Sequence, residues 1–63
     1  MSLLNTDPNI ADPDGFYQQL IETVQHLSPE AAFAYSARLN LILANQIGDN
    51  EVLAQALRAA RDD

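Results

Sequence analysis

Two tripeptides, Asp12-Pro13-Asp14 and Ser28-Pro29-Glu30, do most to limit what this chain can become. Each places a capping side chain first, proline next and an acid third. A capping oxygen satisfies orphan amides, proline is pre-set for the first helical position, and an acid suits the positive end of the helix dipole. Gly48-Asp49 adds a third boundary, with glycine as a left-handed stop and aspartate as the next cap. The sequence therefore predicts three helices, over about 13–27, 29–47 and 50–61.

Residues 1–11 read as an extended N-terminal arm, and residues 12–63 as the three-helix domain. Asp7-Pro8 and Asp12-Pro13 are turn or extended dipeptides. Leu3, Leu4 and Ile10 are the apolar residues of the arm. The expected class is all-α, a small three-helix bundle with short loops.

The three helices differ in how much apolar surface they carry. In the first, Phe16, Tyr17, Leu20, Ile21, Val24 and Leu27 fall within an arc of about 140°. In the third, Val52, Leu53, Ala56, Leu57 and Ala60 make one face, while Arg58 and Arg61 sit near its negative end. The middle helix has a broad face of Tyr35, Leu39, Ile42, Leu43 and Ile47. It also has a second side of Phe33, Ala37, Leu41 and Ala44, with Ala34 at its edge. The broad face is expected to pack on the two neighbouring helices. The alanine-rich side is then surplus, and Asn45 lies beside it. Phe33, Ala34, Ala37, Leu41, Ala44 and Asn45, with Leu3, Leu4 and Ile10 of the arm, are the candidate protein-interface residues. The competing expectation is that the arm covers this side within a single chain.

At 63 residues the chain is short for an independent fold, and small folds of this kind lean on disulfides, metals or association. It has no cysteine and one histidine, which removes disulfides and thiolate or multi-histidine metal sites within one chain. Association is left. Nine acids against three arginines give a net charge of -6, which disfavours nucleic acid and anionic membranes as partners. No run approaches the roughly 18 apolar residues of a membrane span, and residues 1–7 lack a signal-peptide pattern. A cytoplasmic location is expected. Asp62-Asp63 reads as a solvated end.

Catalytic and metal motifs fail one by one. Aligning Gly15 with an EF-hand glycine puts Ile10 and Ile21 at the essential ligand positions. His26 lies on the polar side of helix 1 with no serine or acid placed to relay a proton. Ser28 follows Leu27 and precedes Pro29, unlike the Asp-Ser-Leu of acyl carrier proteins, and is better read as a cap. Gly15 and Gly48 are too far apart for a phosphate loop. No catalytic, cofactor-binding or metal-ligating residue is expected, nor a cofactor in this chain. Asn40, Asn45 and Gln46 are amides in apolar surroundings and need partners.

The stretches Asp12-Pro13-Asp14-Gly15-Phe16-Tyr17, Leu27-Ser28, Arg38-Leu39-Asn40 and Leu43-Ala44-Asn45-Gln46-Ile47-Gly48-Asp49 resemble a family of short bacterial proteins of unknown function. The likeness runs from about Leu3 to Leu57. Members are often encoded beside flavin-dependent oxidoreductases of the aromatic hydroxylase type. The resemblance implies a non-catalytic accessory subunit that stabilises or regulates such a monooxygenase, with FAD held only by the partner. Two alternatives stand beside it: a self-associating homodimer with a regulatory or structural role, and an acidic, antitoxin-like inhibitor of a basic partner.

Overall fold

The computed structural model of the chain describes residues 2–61, so the Asp62-Asp63 end lies outside the described residues. Three helices follow the arm: α1 (Pro13–Val24), α2 (Pro29–Ile47) and α3 (Asn50–Ala60). The class is all-α, with no strand among the described residues.

Each helix starts where its capping chemistry dictates. The Asp12 carboxylate accepts from the Gly15 amide at 3.1 Å, and Ser28 Oγ accepts from the Ala31 amide at 3.1 Å. Asp49 Oδ1 accepts from the amides of Glu51 (2.9 Å) and Val52 (3.4 Å). α2 stops at Gly48, whose φ of 70° lies in the left-handed region and whose amide bonds to the Ala44 carbonyl. A side chain is strained at that φ, which is why glycine serves there.

α1 ends at Val24, earlier than the apolar spacing through Leu27 suggests. The Leu27 amide bonds back to the Val24 carbonyl, three residues away, so the chain tightens into a turn there. α3 closes in the same way, with the Arg61 amide on the Arg58 carbonyl.

Packing is sparse. α2 and α3 form the principal helix pair. Leu20 and Val24 on α1, and Ala32, Tyr35 and Leu39 on α2, are half-buried. No described residue is fully buried. The expectation that the broad face of α2 is covered by its neighbours is therefore corrected: Ile42, Leu43 and Ile47 are 60%, 47% and 54% exposed. The reason is sparse pairing: α2 and α3 form the principal helix pair, and much of α2 has no helix packed against it.

The dimensions agree. The radius of gyration is 13.4 Å, against about 11 Å for a compact domain of this length. The accessible surface is 5662 Å², against about 4,000 Å² for a folded monomer of 6.9 kDa. The chain alone leaves about 1,700 Å² more surface in water than a self-sufficient fold of its mass.

Candidate functional site: an apolar groove between α2 and α3

An open groove of about 970 Å³ runs along the α2–α3 pair. α2 contributes Leu41, Leu43, Ala44 and Ile47, and α3 contributes Leu53, Ala56, Leu57 and Ala60. The arm adds Ile10, with Asn9 beside it. Asn40 and Gln46 supply the amides, and among the described residues no charged side chain lines the groove. Leu41 and Leu57 stand 72% exposed on it.

The arm reaches this groove because α3 holds it. The Gln55 side chain grips the extended backbone from both sides. Its Oε1 accepts from the Leu4 amide at 3.0 Å, and its Nε2 donates to the Ser2 carbonyl at 2.9 Å. Ser2 has a second role at the start of α3. Its hydroxyl, more than the Glu51 and Val52 amides, holds the Asp49 carboxyl below the ordinary value, with partial desolvation pulling the other way. Sequence reasoning missed Gln55, since a lone glutamine on a polar flank carries no pattern that marks it as a backbone clamp.

The candidate interface residues separate into groups. Ile10, Leu41 and Ala44 meet in the groove. Phe33 and Ala37 lie outside its lining and are exposed, Phe33 at 77%. Ala34 is half-buried, and Asn45 is exposed. Leu4 is half-buried beside Gln55, while Leu3 is 73% exposed. Of the arm's apolar residues, only Ile10 shares the groove with Leu41 and Ala44. Leu43 and Ile47, read from the sequence as part of the broad core face, join the groove instead.

A profile of the DUF2783 family, proteins of unknown function, matches residues 4–62. The chain belongs to the DUF2783 family. The match spans nearly every residue, so the arm from Leu4 onward is part of the family's unit along with the helices. No curated protein and no solved structure matches this DUF2783 chain.

Among the described residues no group of three or more His, Cys, Asp and Glu side chains could hold a metal ion. His26 and Ser28 are exposed at the α1–α2 turn, and the Ser28 hydroxyl is engaged as a cap. No helix among the described residues is long and apolar enough to cross a membrane. Among the described residues, no buried side-chain nitrogen or oxygen lacks a hydrogen-bond partner.

Proposed function

We propose that this DUF2783 protein is a non-catalytic accessory subunit whose fold is completed by association with a larger protein. The supporting observation is the surplus of exposed apolar surface on a chain with no fully buried residue among those described. Burying apolar area is worth roughly 25 cal/mol per Å², so covering side chains as exposed as Phe33, Leu41 and Leu57 favours association. The exposed residues also include Phe16, Tyr17 and Ile21 on α1 and Leu3 on the arm, all outside the groove lining.

The partner proposed is a flavin-dependent oxidoreductase of the aromatic hydroxylase type. That choice rests on the resemblance of the capped helices and the Leu43–Asp49 stretch, and FAD belongs to the partner. The role is to stabilise the oxidoreductase or order its active-site entrance. Co-expression with an adjacently encoded oxidoreductase tests it. The expected result is co-purification in fixed ratio, with changed flavin retention or turnover. An oxidoreductase that elutes alone and behaves identically without the small chain overturns the reading.

A further inference from the structure

We infer that the arm and α1 open as one unit, a flap hinged at residues 25–28 and latched to α3 by Gln55, while α2 and α3 stay paired. The inference goes beyond the accessory reading and does not depend on it.

The first support is the weak seat of α1. α2 and α3 are the principal pair, and α1 joins them only loosely. Its half-buried apolar side chains are Leu20 and Val24, whereas Phe16, Tyr17 and Ile21 are exposed. α1 has 12 residues, and isolated helices shorter than about 12–15 residues are marginal in water. Once off the pair it melts, so its backbone amides report whether it is seated.

The second support is the latch. The carboxamide of Gln55 takes the Leu4 amide at 3.0 Å and the Ser2 carbonyl at 2.9 Å, so both of its bonds go to the arm. The arm then runs into α1 with little slack. Ile10, with Asn9, lies along the groove. Asp12, two residues on, is already the cap of α1: its carboxylate accepts from the Gly15 amide and its carbonyl from the Phe16 amide, each at 3.1 Å. Pro8 and Pro13 stiffen this connection. A hold on residues 2 and 4 therefore restrains the N-terminal end of a helix that Gln55 itself does not bond.

The third support is the break at the other end of α1. The Gln25 amide closes the ladder on the Ile21 carbonyl, and the Leu27 amide turns back to Val24. α2 then starts afresh: Ser28 is extended, at ψ 161°, and its carbonyl takes the Ala32 amide. One ladder ends before the next begins, and a few element-terminal residues of this kind are where hinges absorb their change of torsion. The flap is thus fixed by a turn at one end and by two exposed-chain hydrogen bonds at the other. Contiguous units held by few contacts are the ones that open below the global unfolding free energy.

Native-state amide hydrogen exchange of the full chain, read residue by residue, tests the flap. In Gln55→Ala the α1 amides from Leu20 to Val24 should exchange about 5–30-fold faster, the shift in opening equilibrium expected from losing two modest hydrogen bonds. Amides in the middle of α2 and in α3 should keep the parent's rates. Leu4→Pro removes the amide donor from the arm side and leaves α3 untouched, so it should accelerate α1 in the same way. Acceleration confined to α1 and the arm in both variants supports the flap. Three results overturn it. One is an α1 that keeps its protection while the arm is freed. Another is equal acceleration of all three helices, which makes the chain a single opening unit. The last is acceleration in Gln55→Ala but not in Leu4→Pro, which places the effect within α3 and not in the latch.

Discussion

α3 and the N-terminal half of α2 are built from similar residues and meet opposite fates. On α3 every position from Val52 to Ala56 is half-buried, and Gln55 secures the arm through two directed hydrogen bonds. On α2, Phe33 and Ala37, and Leu41 one turn further on, stand in water. One region spends its contacts inside the chain, and the other holds them for something outside. The difference shows that polar bonds suffice to position a small chain's segments, while its apolar burial is left unfinished.

The largest expected effect breaks the open side of this comparison. Ala37→Arg should abolish association while leaving the dilute chain's helical circular dichroism unchanged, because Ala37 is exposed and arginine is a good helix former. Co-purification with the oxidoreductase should be lost with it. A variant that associates like the parent would remove this face from the interface.

The clamped side is tested by Gln55→Ala. Freeing the Leu4 amide and the Ser2 carbonyl should cost about 1–2 kcal/mol, two modest hydrogen bonds net of water. Residues 2–11 should then be cleaved faster by limited proteolysis, while the helices persist. Unchanged cleavage would mean that the clamp does not hold the arm.

Smaller effects sharpen the frame that both regions share. Ser28→Ala removes the cap on the Ala31 amide and should lower stability by about 1 kcal/mol in urea unfolding. Gly48→Ala should cost a similar amount, since φ of 70° strains any side chain. The smallest effect is in pH. The Asp49 carboxyl is held below the ordinary carboxylate value, chiefly by the Ser2 hydroxyl, so its contribution is present above that ordinary value and fades as pH falls through the lower folded pKa. Asp49→Asn should flatten this acid limb of the stability curve; an unchanged limb would assign it to other carboxylates.

The helices were legible from the sequence because their determinants are local. Asp12, Ser28, Gly48 and Asp49 act within one turn, and a turn is readable from a few neighbouring letters. The α1 terminus was misjudged because apolar spacing continues to Leu27 after the backbone has tightened at Val24. The groove was half legible. Leu41 and Ala44 stood out as surplus, but Leu43 and Ile47 looked like core because periodicity shows which residues share a face, not whether a neighbour packs against it. The Gln55 clamp was illegible, since it joins residues more than 50 positions apart through a side chain that fits no pattern.

A protein with no sealed interior also has little protection against degradation. Locally opened segments are what proteases capture, and few contacts here oppose opening. Unaccompanied copies are therefore expected to be cleared quickly, so that the cellular level of this chain follows the supply of its companions. A pulse-chase half-life that stays the same when those companions are deleted would show that the quota is set elsewhere.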